Sequence, residues 1–178
     1  IKEFYDYAEA HEQCAFYGCW LRNKEGELMH SFGRIPTVKV GLQGASLAYL
    51  CHIPFVKNSK LIRKLNDNEI LCEKTCKEVG YVTGADMFFH RDVIKETGWF
   101  DHNFFMYYEE CDWQRRAHEE GIRSYLINGP QITHLQNYQK KPTLRGELMR
   151  LKSKKYYYKK NYDTPSYIGY RFLYSLLR

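Results

Sequence analysis

Apolar and aromatic residues recur along this chain at two spacings, and the changes of spacing mark its elements. From Ile1 to Gln13, Phe4, Tyr7, Ala8 and His11 fall on one side at helical spacing, which predicts an amphipathic helix. Ala15 to Arg22 is rich in aromatic and apolar residues and reads as strand. Asn23-Lys24-Glu25-Gly26 is a turn signal, so Glu27 to Phe32 is predicted to return as the second strand of a hairpin. Gly33 to Gly44, with Pro36 and further glycines, is loop-like. Residues 45–75 fit neither period well; Ser59 to Leu65 reads as a helical turn that Asn66-Asp67-Asn68 breaks.

The pattern sharpens after that. Glu78 to Val82 reads as a buried strand leading into Thr83-Gly84-Ala85-Asp86, and Met87 to His90 continues it. Arg91 to Thr97 is a short helix with Gly98 placed as its stop. Glu109 to Glu120 is the clearest helix. Acids crowd its first turn, Asp112–Arg116 and Arg115–Glu119 pair at four-residue spacing, and Gly121 ends it. Arg123 to Ile127 is a strand, Asn128-Gly129-Pro130 a turn, and Gln131 to His134 a short strand. Thr143 to Lys160 and Ser166 to Leu177 read as helices.

A chain of 178 residues with 44% hydrophobic content can bury a sizeable core, so disorder is excluded. No apolar run is long enough to span a bilayer and no signal-peptide pattern is present; with Ile1 in first place, a fragment or processed chain is the expectation. The cysteines form no CxxC pair. Cys72 and Cys76 would share a helix face, but two more zinc ligands are not evident, so reduced thiols are expected. The net charge is +6, and much of the excess lies between Lys140 and Lys160, where Glu147 is the only acid. Such a stretch suits an anionic membrane surface or a polyanion, or is a solvated helix face.

Three features carry candidate chemistry. Glu109, Glu110 and Asp112 open a helix, where the dipole favours an ionised carboxylate able to accept a proton. Spacing alone does not separate that role from simple helix stabilisation. Thr83, Gly84, Ala85 and Asp86 are small or polar residues that let a ligand approach the backbone, or let a strand pack on a helix. His134 ends a short strand and is either a ligand or a structural residue. Trp99, Phe100 and Trp113 could stack on a sugar or base, or fill the core.

The order of these features resembles the C-terminal half of family 2 glycosyltransferases, which have the GT-A fold. Many members carry FDExFFMYxEDxDLxxRxxxxG; here the segment runs from Phe100-Asp101 through Phe104-Phe105-Met106-Tyr107-Tyr108-Glu109-Glu110-Cys111-Asp112-Trp113 to Arg116 and Gly121. The likeness covers roughly Ala15 to Asn137, is strongest from Tyr81 to His134, and within the family looks most like a rhamnosyltransferase branch. It implies an α/β fold, the acceptor-side part of a GT-A domain with a mixed sheet and flanking helices over residues 1–138. A basic, aromatic helical extension would follow over 139–178, and a nucleotide-binding half with a DxD motif would precede Ile1. It implies an inverting transfer from a nucleotide-sugar donor to a glycan or polyprenyl-linked acceptor in surface polysaccharide synthesis. The base would be Glu110, which stands where Asp is more usual, with Glu109 as the alternative. Mn²⁺ or Mg²⁺ would be held in part by His134. Thr83, Gly84, Ala85, Asp86, Trp99, Asp112 and Trp113 would line the substrate. The setting would be cytoplasmic, peripheral at the inner face of the cell membrane, with a homodimer as a further arrangement. Two other classes remain in view: a non-catalytic carbohydrate-binding module, and a nucleic-acid-binding module using Tyr156, Tyr157, Tyr158 and Tyr162, which gives the segment from Thr83 to His134 no role.

Overall fold

The segment that starts at Ala15 becomes the middle of a sheet because Ala15, Phe16, Tyr17 and Gly18 bury on both faces. The computed structural model describes residues 1–11, 15–51, 76–135 and 143–176, with the side chains of 47–51 excepted. Its elements in chain order are α1 (Lys2–His11), β1 (Ala15–Gly18), β2 (Leu21–Arg22), β3 (Phe32–Gly33), α2 (Val38–Cys51), β4 (Lys77–Val79), β5 (Tyr81–Val82), β6 (Phe88–Phe89), α3 (Asp92–Thr97), α4 (Glu109–Glu119), β7 (Arg123–Leu126), β8 (Ile132–Thr133), α5 (Leu144–Asn161) and α6 (Thr164–Leu176). They form two compact units, Ile1–Ile35 with Lys74–Tyr157, and Pro36–Glu73 with Tyr158–Arg178. The expected boundary between 138 and 139 lies outside the described residues.

The first unit is mixed α/β. Its main sheet has the order β4-β7-β1-β6, with β1 and β7 parallel and both outer pairs antiparallel. Two shorter pairs join it, β2 with β8 in parallel and β3 with β5 antiparallel. Strand alternation sends Phe16 to one side of β1, into a core with Val82, Val93, Trp113, Ala117 and Leu126. Ala15 and Tyr17 go to the other side, with Phe4, Cys19 and Ile127. The helix α1 covers that second side: Phe4 stacks on Phe88 at 5.5 Å and Tyr7 meets Tyr17 edge-on at 5.7 Å.

The structure corrects two local expectations here. The hairpin after Arg22 is reduced to a single bridge, Arg22 to Leu28. The side-chain oxygen of Asn23 accepts from the amides of Glu25 and Glu27 at 3.0 and 2.8 Å, so the chain closes into a side-chain-tied loop instead of a ladder. The strand predicted over Glu78 to Val82 is split at Gly80, where an added Cβ would sit 2.4 Å from the amide nitrogen of Ile35.

The second unit contains α2, α6 and the end of α5. The stretch Gly33 to Gly44, expected as loop, becomes helical from Val38, and Thr37 caps it by accepting the Val40 amide on Oγ1 at 3.1 Å. Gly41 is the reason a glycine is tolerated there: an added Cβ would lie 2.6 Å from the Tyr158 hydroxyl and 2.9 Å from the Tyr170 ring. Tyr158 and Tyr170 stack at 4.2 Å, and Tyr158 and Tyr162 donate to the carbonyls of Thr37 and Pro36 at 3.2 and 3.0 Å. Tyr158 and Tyr170, like Tyr157, are buried, and Tyr162 is half-buried. The segment Ser59 to Leu65 and Cys72 lie outside the described residues.

Candidate functional site

The acidic cluster is presented by a backbone turn that its residues do not favour. Tyr107 and Tyr108 have φ of 70° and 69°, the left-handed region that non-glycine residues rarely enter. Each such residue costs about 1–3 kcal/mol and persists only where its surroundings enforce it. The turn leads directly into α4, whose first residues are Glu109 and Glu110 and whose first turn has no capping side chain. The helix therefore opens with its own carboxylates at its amide end.

Glu109 and Glu110 are both partly buried, and the Oε2 atom of each is enclosed without a hydrogen-bond partner in the protein. Their environments differ. Burial raises the Glu109 carboxyl above its usual value. Glu110 is pushed up to about 7, first by burial and then by the adjacent Glu109 charge, with backbone amides of Tyr108, Glu110 and Cys111 opposing the shift. Tyr81 lies near, its hydroxyl pushed up by burial and by the thiol of Cys111 and the charge of Glu110. Its oxygen is 3.2 Å from Nε2 of the exposed His30. Gly84 faces the same place, for a Cβ built on it would meet the Cβ of Glu110 at 3.9 Å. The structure thus brings the small-residue turn and the acidic pair together from opposite ends of the segment.

The other residues singled out by sequence take different positions. Asp86 is buried and both its oxygens are engaged, one by the Cys19 amide at 2.6 Å and one by the Thr83 hydroxyl at 3.2 Å. Those bonds fix the turn that carries Gly84 and Ala85. Burial raises the Asp86 carboxyl in spite of them. Asp112 has no exposed surface and pairs with Arg116 at 3.3 Å. Arg116 in turn donates to the carbonyls of Thr97 and Trp99, the latter at 2.8 Å. Asp112 and Arg116 together latch the end of α3 to α4. Trp113 is fully buried, and its Nε1 donates to Thr97 at 2.8 Å. Trp99 is half exposed and packs against Trp113 at 5.0 Å and Phe100 at 5.2 Å.

His134 sits just past β8, with its amide donating to the Arg22 carbonyl at 2.8 Å. Among the described residues no three His, Cys, Asp or Glu side chains gather as a metal site. Cys19, Cys76 and Cys111 are thiols.

Sequence reasoning passed over Gln114. It is fully buried; its amide nitrogen donates to the Val82 carbonyl, and its oxygen accepts from the Val82 amide and the Ser124 hydroxyl, all at 2.8 Å. It thereby takes the place of a strand beside β5 and ties the approach to Thr83 to α4. A polar residue on the apolar side of an amphipathic helix was the available signal. The turn at Tyr107 and Tyr108 had no sequence signal at all, since glycine or asparagine marks such positions. No family model, curated protein or solved structure matches the chain.

Proposed function

We propose that this chain supplies the acceptor-side base of an inverting, metal-dependent glycosyltransferase of the family 2 kind, acting from a nucleotide-sugar donor onto a glycan or lipid-linked acceptor. The carrying observation is the Glu109–Glu110 pair, enclosed at the mouth of α4 beside Gly84, with Glu110 poised at about 7. A base is most effective when its pKa lies near working pH, because it is then ionised yet still holds a proton well. The acceptor oxygen would attack the anomeric carbon as Glu110 takes the hydroxyl proton. The bond from that carbon to the nucleotide diphosphate breaks, and the diphosphate leaves with the electron pair. Glu109 raises the proton affinity of Glu110 and is not the base itself. Gly84 leaves the space above the carboxylate open. The half-exposed Trp99 suits contact with a sugar. His134 offers a single imidazole, and the described residues do not complete a metal site around it. What they supply is proton transfer.

The test uses the full gene product, Mn²⁺ and nucleotide sugars, following sugar release. Glu110→Gln should cut turnover by about 10²–10⁴-fold with folding intact, and Glu109→Gln by less. Equal activity of Glu110→Gln and the unaltered protein would refute the assignment, and a reversed order would move the base to Glu109.

A membrane-surface partner belongs to the same proposal. No helix among the described residues is long and apolar enough to cross a membrane. The helix α6 nevertheless exposes Ile168, Phe172, Leu173 and Leu176, which fall on one side at helical spacing, while Tyr170 is buried on the other. In the same unit, the end of α5 exposes Lys159 and Lys160. An apolar stripe with cations nearby in sequence suits an anionic interface.

A further inference from the structure

The helix α5 reaches the acidic pair without contributing to it. From Leu144 to Tyr157 it lies along Asp101–Tyr108, the segment that ends in the left-handed turn. Ser153, itself buried, donates from Oγ to the Met106 carbonyl at 2.7 Å. One turn on, Tyr156 donates to Asp101 Oδ2 at 2.9 Å, and its ring meets Phe104 edge-on at 4.8 Å. Tyr157 packs its ring on Tyr108 at 5.4 Å. The other oxygen of Asp101 accepts from the Asn103 amide at 2.9 Å, so the start of the segment is tied to itself and to α5.

These contacts are specific. A groove of about 570 Å³ lies between the segment and the helix, lined by Asn103, Phe105, Met149, Lys152, Ser153 and Tyr156. Beside this groove, the hydroxyl contacts of Ser153 and Tyr156 tie the segment to α5, together with the ring contacts at Phe104 and Tyr108. Phe105 is largely exposed and Met106 is half exposed, so neither anchors the turn by burial.

We propose that Ser153 and Tyr156 are positioning residues, which hold Asp101–Met106 so that Tyr107 and Tyr108 stay left-handed and Glu109 and Glu110 stay enclosed at the mouth of α4. The geometric half of this stands on the contacts alone; its consequence for catalysis rests on Glu110 being the base. Without the Ser153 bond the Met106 carbonyl loses that donor, and the disfavoured backbone at the two tyrosines loses a restraint next to it. The turn relaxes, and Glu110 gains water. The groups facing Glu110 are Glu109 and Cys111 from α4, Tyr108 from the turn and Tyr81 from β5; of these, Glu109 is the one whose charge raises Glu110. The turn does not alter that charge, so the change in Glu110 comes from solvation.

The chain carrying ¹³C-labelled glutamate and tyrosine tests this by nuclear magnetic resonance. In Ser153→Ala the Cα shifts of Tyr107 and Tyr108 should leave left-handed values. The titration midpoint of Glu110 should fall by about one pH unit towards that of an exposed carboxylate. Tyr156→Phe, which keeps the ring on Phe104, should shift both in the same direction, and Ser153→Thr, which keeps the hydroxyl, should restore both. If Ser153→Ala does not fold, Tyr156→Phe decides alone. Unchanged tyrosine shifts and an unchanged Glu110 midpoint in a folded variant overturn the proposal. An ordinary glutamate midpoint in the unaltered chain would remove the base assignment, while the tyrosine shifts would still decide whether α5 holds the turn.

Discussion

A side chain on Gly84 would begin 3.9 Å from the Cβ of Glu110, although 26 positions separate the two in the chain. That distance is ordinary van der Waals contact, so a methyl group fits. Gly84→Ala should leave thermal stability nearly unchanged. Gly84→Leu should also fold, but it should fill the space above the carboxylate and abolish sugar transfer. Full activity of the leucine variant would show that substrate does not pass over Gly84.

Gly80 provides the contrast. A Cβ there would meet the Ile35 amide nitrogen at 2.4 Å and the Gly33 carbonyl oxygen at 2.7 Å. Backbone cannot rotate away as a side chain can, so Gly80→Ala should destabilise the fold by about 1–3 kcal/mol. Chemical denaturation of the two alanine variants side by side checks the ranking; equal midpoints would contradict it.

The shift at Glu110 gives stability a pH dependence. Its carboxyl titrates near 7 in the fold against 4.5 ordinarily, because burial and Glu109 disfavour the charged form. A raised carboxyl favours the folded state fully below the ordinary value, and that contribution is lost as pH rises through about 7. Replacement by glutamine removes the loss. Glu110→Gln should therefore exceed the unaltered chain in stability by about 1–2 kcal/mol at neutral to alkaline pH, and the gain should shrink towards acid. Urea midpoints on either side of the titration test this; a pH-independent difference would contradict it.

Gln114 ties both backbone groups of Val82 and the Ser124 hydroxyl. Gln114→Leu keeps the volume but takes the buried partner from both Val82 backbone groups, leaving Ser124 its contact with His118, and should cost about 2–4 kcal/mol. Backbone amide exchange at Val82 should accelerate with it. Retained protection would mean that another group had taken over.

Arg116 neutralises the fully buried Asp112 and holds the carbonyls of Thr97 and Trp99. Arg116→Leu removes the cation beside a buried carboxylate and the donors to two carbonyls, and should cost about 3–5 kcal/mol, whereas the exposed pair of Lys2 and Asp6 should be worth almost nothing by comparison. Thermal melts of Arg116→Leu and Lys2→Ala decide it, and similar losses would be the wrong result.

What the sequence determined by itself was local. The helix α3 stops at Gly98 and α4 runs out before Gly121, both at positive φ as expected of helix-ending glycines. The ion pairs Asp112–Arg116 and Arg115–Glu119 form at the predicted spacing, and α5 and α6 begin and end within two residues of their predicted bounds. These follow from rules that act within one or two turns of chain: capping, helix period and side-chain reach. Tertiary structure decided the rest. It made Gly33 to Gly44 partly helical, because Gly41 leaves room for Tyr158 and Tyr170 more than a hundred positions away. It drew Asp86 and Asp112 inward and left Glu109 and Glu110 at the helix mouth, a division that four acids of similar chemistry could not announce. It set two tyrosines in a left-handed turn. Burial and long-range hydrogen bonds set each of these outcomes, and both depend on which distant segments meet, which no local pattern encodes.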